Sequence, residues 1–294
     1  MKKKTRLLLI VCCILAVQVL ELRAADLTPE QLIAGHVKSI GDPVSLLRVQ
    51  SLIFVGTSEV DFILGMNGRM WGAAMLASQG PKMGITMKFP DTNYPGEYFA
   101  YDGVNVSVGN IKPGLKSPIA DFLYRYNKIM KNGLLGGVFS NAWPLLDVTS
   151  NSAAIMKAGK AKMDGKELYE LEYRPKDNHG DMRIRIYFDP ETFRHVCTEY
   201  RVRTDNDATA GFNPDPDIPM AIAQMSRGDS YYTLIEKFDD FKEAGALTLP
   251  HSYTLDYMID GSNQSGFIAK WKIDVLQVGF NTPEIDQGLF KAEK

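Results

Sequence analysis

The chain has 294 residues, with 33 basic against 35 acidic side chains and 45% hydrophobic content, enough to bury one sizeable core. Beyond its first residues no stretch is dense in Lys or Arg, which excludes a nucleic-acid footprint and a polybasic patch for anionic lipid surfaces. Of the three cysteines, Cys12 and Cys13 sit in the N-terminal apolar run and Cys197 stands alone, so disulfide staples are excluded from the rest of the chain.

Residues 1–24 read as a signal peptide. Lys2, Lys3, Lys4 and Arg6 form a basic start, Leu7 to Leu20 an apolar core, and Ala24 a small residue before a mature start at Ala25-Asp26. The apolar run is about 14 residues, short of the ~20 a spanning helix needs; an uncleaved anchor is the alternative. The residue before Cys12 is Val11 and the residue before Cys13 is Cys12, neither of them the small residue that precedes a lipid-attachment cysteine. Export to the periplasm is the expectation, with residues 25–294 forming a single mildly acidic domain.

The first element of that domain is a helix with full punctuation. Thr28 is its N-cap, Pro29 its first position, Gln31 the capping-box partner, and Leu27 and Leu32 a hydrophobic staple. Ile33, Val37 and Ile40 form its apolar stripe and Gly41 ends it. After Pro43 the period changes to two. Met83-Ile85-Met87-Phe89, Val104-Val106-Val108, Met182-Ile184-Ile186-Phe188 and Phe267…Trp271-Ile273-Val275 alternate with polar neighbours, as antiparallel strands with one wet face do. Asp102-Gly103 and Asp164-Gly165 are hairpin turns; Asn178–Asp181, Asp189–Thr192 and Asp260–Gly266 are longer connections. The predicted fold class is α+β: a meander sheet or barrel of about 11 strands.

Two segments interrupt the strands. Ser117-Pro118 starts a helix whose Ile119, Phe122, Leu123, Tyr126, Ile129 and Met130 follow at helical spacing; Gly133, Gly136, Gly137 and the short apolar Asn141–Asp147 come next. Asp205–Asp229, rich in Pro and acids, is longer than an ordinary connection and reads as a lid or a disordered stretch.

Val60–Ala77 is apolar or small on both strand faces: Phe62, Leu64 and Met66 against Ile63, then Met70 and Leu76 against Trp71 and Met75. One explanation is packing layers on both sides; the other is that one face lines a cavity for an apolar guest. The methionines favour the second, because flexible thioethers re-pack around guests of variable shape. The candidate cavity lining is Met66, Met70, Trp71, Met75, Met83 and Met87 from the sheet, with Phe122, Tyr126 and Met130 from a helical lid.

Five features together resemble the LolA/LolB-like outer-membrane lipoprotein carrier and sorting proteins of the periplasm. They are the leader, the capped helix LTPEQLIAGHVKSIG, the hairpin YFAYDGVNVSVG at Tyr98–Gly109, the segment IYFDPETFRHVCTEYRV at Ile186–Val202, and the tail segments FDDFKEAGALTLPHSYTLDY and VGFNTPEIDQGLF. The resemblance spans nearly the whole exported chain. It implies an antiparallel sheet of about 11 strands curled into an open half-barrel, with an N-terminal helix and lid helices on the concave face. It also implies a non-enzymatic carrier of lipid or acylated lipoprotein, working with envelope proteins of the inner or outer membrane, with no cofactor and no nucleic acid. The chain is longer than the simple carriers, chiefly at Asn110–Asp147 and Asp205–Asp229, and the family's functional arginine aligns to no unique position here, so none is assigned.

Catalytic patterns are weak. Gly228-Asp229-Ser230 lacks the partners of a lipase-type nucleophile. His195 and Cys197 are expected on one strand face, continued by Glu199 and Arg201. Asp239-Asp240 would point to opposite faces of a strand, and His36, His179, His195 and His251 lack metal-ligand spacing. Asn213–Asp217 is at most a calcium loop. The alternative to a carrier is an envelope interaction module with a permanently filled core. An open apolar groove on the concave side is expected of a carrier, a filled one of the module.

Overall fold

The structure, a computed structural model, describes residues 27–65, 68–146, 154–175, 182–204, 230–260 and 266–292. The leader, Met66, the Asn178–Asp181 connection, Asp205–Asp229 and the calcium-loop candidate lie outside the described residues.

Helix α1 (Pro29–Ile40) is capped as its sequence dictates: the Thr28 side chain accepts from the Gln31 N–H and the Gln31 side chain accepts from the Thr28 N–H. It buries Leu32, Ile33, His36 and Ile40. A second helix, α2 (Pro43–Arg48), stands where strand character was expected to begin. Its signal is the one read at Thr28-Pro29: Asp42 caps the N–H groups of Val44 and Ser45, and Pro43 occupies the first helical position.

Twelve strands follow: β1 (Ser51–Leu64), β2 (Gly68–Gln79), β3 (Lys82–Lys88), β4 (Gly96–Tyr101), β5 (Val106–Val108), β6 (Ala154–Met163), β7 (Lys166–Arg174), β8 (Met182–Phe188), β9 (His195–Thr204), β10 (Ser230–Ala244), β11 (Leu247–Asp260) and β12 (Phe267–Phe280). They make one antiparallel sheet in the order β5-β4-β3-β2-β1-β12-β11-β10-β9-β8-β7-β6. This is the open half-barrel that the family resemblance implied, with one strand more. Asp164 and Gly165 both take positive φ in the β6–β7 hairpin, as a tight two-residue turn requires. The Asp102 turn is wider than expected. Its side chain caps the Val104 and Asn105 N–H groups, which takes Val104 out of the ladder and leaves it exposed.

The strand order is two meanders, β1–β5 and β6–β12, zipped together where β1 pairs with β12 from Leu52↔Phe280 to Leu64↔Ile268. Meanders keep neighbours close in sequence, so β5 and β6 become opposite edges of the sheet. The chain leaving β5 must therefore cross the whole sheet to begin β6, and this topological fact creates the lid. The crossing segment, described to residue 146, contains α3 (Pro118–Arg125), α4 (Lys128–Lys131) and a 3-10 turn at Gly137–Phe139. Ser117 caps α3 by accepting from the Ala120 N–H.

Strand alternation divides the faces. The concave face carries Leu52, Phe54, Val60 and Phe62 of β1, Leu76 of β2, Met83, Ile85 and Met87 of β3, and Phe99 of β4. From the other half come Trp271 and Ile273 of β12, Tyr253, Leu255 and Tyr257 of β11, Leu234 and Phe238 of β10, and Ile184, Ile186 and Phe188 of β8. All join one core with the crossing segment and α1. The convex face is polar over much of its area, with exposed pairs such as Arg69 to Glu59 and Asp61 that contribute little to stability. On β1, β2 and β3 it is covered by the C-terminal 3-10 turn Gln287–Phe290, where Ile285 and Phe290 pack with Ala77 and Ile53.

Candidate functional site: the concave face and its strap

Residues 117–146 lie as a strap across the concave face. Among the described residues the strap pairs with no strand, so backbone ladders do not hold it. Apolar burial does: Ile119, Phe122, Leu123, Ile129, Met130, Leu134, Leu135, Val138, Phe139, Trp143 and Leu145 are all buried. Phe139 is the centre, with ring centroids 4.6 Å from Phe54, 5.9 Å from Phe238 and 5.4 Å from Tyr253. The concavity is therefore filled by the chain itself along the described strap.

Among the described residues, polar contacts pin the strap at its start, middle and far end, and at Asn141, whose N–H donates to Ser78 Oγ at 2.8 Å and whose Nδ2 donates to the Val49 carbonyl at 3.1 Å. At its start, the Ser117 hydroxyl donates to Glu97 Oε2 at 2.8 Å, and Tyr94 donates to Glu97 Oε1 at 2.6 Å. The Trp271 indole N–H in turn donates to the Tyr94 oxygen at 2.7 Å. At the middle, the Gly136 N–H donates to Glu236 Oε1 at 2.7 Å, Tyr200 donates to Oε2 at 2.7 Å, and the Tyr253 hydroxyl donates to Oε1. Neither carboxyl has a cation partner among the described residues. Burial pushes both up to about 7, against the hydrogen bonds that favour the charged form.

At the far end, the Trp143 indole N–H donates to His36 Nε2 at 3.0 Å. An indole nitrogen only donates, so Nε2 is the unprotonated nitrogen and Nδ1–H faces the Phe193 carbonyl at 3.3 Å. Burial lowers His36 to about 4. His195 stacks on Trp143 with centroids 4.9 Å apart and planes 14° apart, and lies 6.0 Å from His36. Burial, then the neighbouring His36, hold its pKa well below the ordinary histidine value. Its Nε2 meets the Cys197 carbonyl, while Nδ1 is buried with no partner among the described residues.

The nine candidate lining residues separate by strand parity. Met83, Met87, Phe122 and Met130 are buried in the concave core, and Met70 and Tyr126 pack half-buried against it. Met66 lies outside the described residues. Trp71 and Met75 have the opposite parity to Met70 and Leu76 and stand on the convex face, where Trp71 is 62% exposed. Met75 lines a convex recess of about 600 Å³, with Val55, Ala73, Tyr98, Leu289 and Lys291.

The half-buried Met70, Tyr232 and Ile259, with Tyr126, mark one rim of the half-barrel. The β1–β2, β7–β8, β9–β10 and β11–β12 connections leave from this rim, and Phe122 of α3 packs there on Tyr257 and Tyr232 at 5.3 and 6.4 Å.

His195 and Cys197 do not share a face, contrary to expectation. A register shift between Tyr187 and Phe188 places His195 opposite Phe188 on the concave side and Cys197 opposite Tyr187 on the convex side. Burial also pushes the Cys197 thiol up to about 12, so no nucleophile–base pair forms. Asp239 and Asp240 are exposed; the Asp239 carboxylate accepts from the Asp240 N–H and Asp240 pairs with Lys242. Among the described residues, no group of three His, Cys, Asp or Glu could hold a metal, and no helix is long and apolar enough to cross a membrane.

Sequence reasoning missed Glu97 and Glu236, yet they left a signal. Each is an acid in phase with the apolar face of its strand: Glu97 with Phe99 and Tyr101, Glu236 with Leu234 and Phe238. An ionisable residue at such a position is buried unless the face is wet.

No protein-family model and no curated protein matches the chain. Solved structures similar to it include a LolA superfamily protein from Nitrosomonas europaea, 11% identical over 90% of this chain and 98% of that one, with a TM-score of 0.42. Another is a putative outer membrane lipoprotein-sorting protein domain from Vibrio parahaemolyticus, at 12% identity over 87% and 97%, TM-score 0.41. A third is a DUF1329 family protein from Desulfovibrio piger, at 8% identity over 89% and 96%, TM-score 0.39. Identities and overlays this low transfer no function.

Proposed function

We propose that the protein is a non-enzymatic periplasmic carrier that holds lipid, or the acyl chains of lipoproteins, on the concave face of its half-barrel for sorting to the outer membrane. One observation carries this reading. A broad apolar face is covered by a crossover strap that takes part in no β ladder among the described residues, so the strap can leave without unzipping the sheet. The concave members of the candidate lining, Met70, Met83, Met87, Phe122, Tyr126 and Met130, lie under or on that strap.

Magnitudes define what a guest must do. Burying the strap's apolar side chains at ~1.5–3 kcal/mol each stabilises the closed form by on the order of 20 kcal/mol. One long acyl chain returns ~0.8 kcal/mol per CH₂, on the order of 10 kcal/mol in all. A single chain therefore displaces part of the strap, and full displacement requires a guest with several chains. The rim at Met70, Tyr126, Tyr232 and Ile259 is the entry this reading assigns, because apolar side chains there are already half exposed.

The filled concavity favours a second reading, an envelope interaction module whose strap never leaves. Mass spectrometry of organic extracts from natively purified protein, followed by titration with a triacylated peptide, separates the two. A carrier yields extracted lipid or saturable binding; absence of both overturns the carrier.

A further inference from the structure

Four buried titratable side chains of the sheet and of α1 hold the strap, and they are of two kinds. Glu97 holds Ser117 and Glu236 holds Gly136, whereas His36 holds Trp143 and His195 stacks on it. His195 also lies against the strap's backbone at Gly137, where an added Cβ would fall 2.8 Å from its ring. Lifting the strap takes a covering contact from all four at once.

We propose that the strap is a compensated latch, held by two opposed sets of buried groups, Glu97 and Glu236 against His36 and His195, so that its closure is insensitive to pH from mildly acidic to neutral conditions and becomes pH-triggered when either set is removed. The latch stands on these contacts alone; its use in guiding cargo exchange rests on the carrier reading.

The opposition follows from charge. In the closed state burial keeps both carboxyls protonated up to about 7 against an ordinary 4.5, so rising pH favours the open state, where they ionise freely. Burial keeps His36 neutral down to about 4 against an ordinary 6.5, so falling pH favours the open state, where it takes up a proton. His195 acts in the same sense as His36. From about pH 4.5 to about pH 7, each acid raises the opening constant on the order of a hundred-fold and His36 lowers it by a similar factor; His195, shifted in the same sense as His36, opposes the second acid, and the four together cancel most of the dependence.

The other titratable groups facing these four do not disturb the balance. Glu97 faces Tyr94, while Glu236 faces Tyr200 from β9 and Tyr253 from β11, and all three phenols are pushed upward by burial and stay protonated. Cys197, close enough to feel the Glu236 charge, is raised as well. Among the described residues, the ionisable neighbours of His36 and His195 are each other; the rings of Phe188, Phe238 and Trp143, the Thr198 hydroxyl at 2.7 Å from His195 Nε2 and the carbonyls of Phe193 and Cys197 also surround them.

Urea unfolding of the full exported chain across about pH 4.5 to 7 reads the latch without any lipid. Wild type is expected to change its unfolding constant by less than about ten-fold across the window. The Glu97→Gln/Glu236→Gln variant should gain stability toward neutral pH on the order of ten-thousand-fold relative to wild type, and His36→Gln should lose on the order of a hundred-fold. Should either variant fail to fold, the wild-type profile decides alone: a slope of a hundred-fold or more overturns the compensation. Parallel slopes in all three proteins also overturn it. Dodecylphosphocholine binding, measured at both ends of the window, tests the cargo role separately. Opposed slopes with no binding leave the latch standing and remove the carrier; binding with parallel slopes does the reverse.

Discussion

Truncating Phe139 should make the protein less stable and, if it is a carrier, a tighter binder. The ring is fully buried at the centre of the strap and touches Phe54, Phe238 and Tyr253, yet it takes part in none of the polar pins. Phe139→Ala removes that packing and costs about 3–5 kcal/mol of stability. In a carrier the strap and the guest compete for one surface, so whatever weakens the strap strengthens the guest. With each 1.4 kcal/mol worth ten-fold, apparent affinity for an acyl probe should rise on the order of 10²–10³-fold. Urea midpoints give the first quantity and fluorescence titration with an acyl probe the second. A destabilised variant with unchanged or weaker affinity refutes the competition, because it means that strap and guest do not share the concave face.

Other substitutions probe separate parts of the account. Ser117→Ala removes the α3 cap and leaves Glu97 Oε2 without its donor; denaturation should show a loss of about 1–3 kcal/mol, against little change for the exposed Trp71→Ala. Cys197, buried and raised to about 12, should resist a thiol reagent in the native protein and react fully once unfolded. Gly84→Ala places a Cβ 1.9 Å from the Leu289 carbonyl oxygen, so the C-terminal turn must lift from the convex face, which limited proteolysis should detect as faster cleavage near residue 289.

Local chemistry made much of this fold legible. The caps at Thr28 and Ser117, the turn at Asp164-Gly165 and the period-two runs of β3, β8 and β12 each act within a few residues, so their patterns survive in one dimension. The Asp42-Pro43 cap carried the same chemistry but was masked by the apolar alternation that begins beyond it. The crossing strap was legible as helices, and as a lid through the family resemblance; its span across the whole sheet was not, because that depends on β5 and β6 being opposite edges, a property of the pairing β1–β12 across more than two hundred residues. Parity within β2 was correctly divided, with Met70 against Trp71, but which parity faced inward was set by partners elsewhere in the sheet. The His195–Cys197 face assignment failed on one register shift, which inverts every face beyond it.

Amide hydrogen exchange of residues 117–146, with and without a triacylated peptide, addresses the claim on which the carrier account depends. Strap amides should exchange faster in the presence of the peptide while those of β10, β11 and β12 keep their protection. A strap equally protected in both samples, with the peptide bound, would mean that the guest sits elsewhere and that the concave face is a permanent interior.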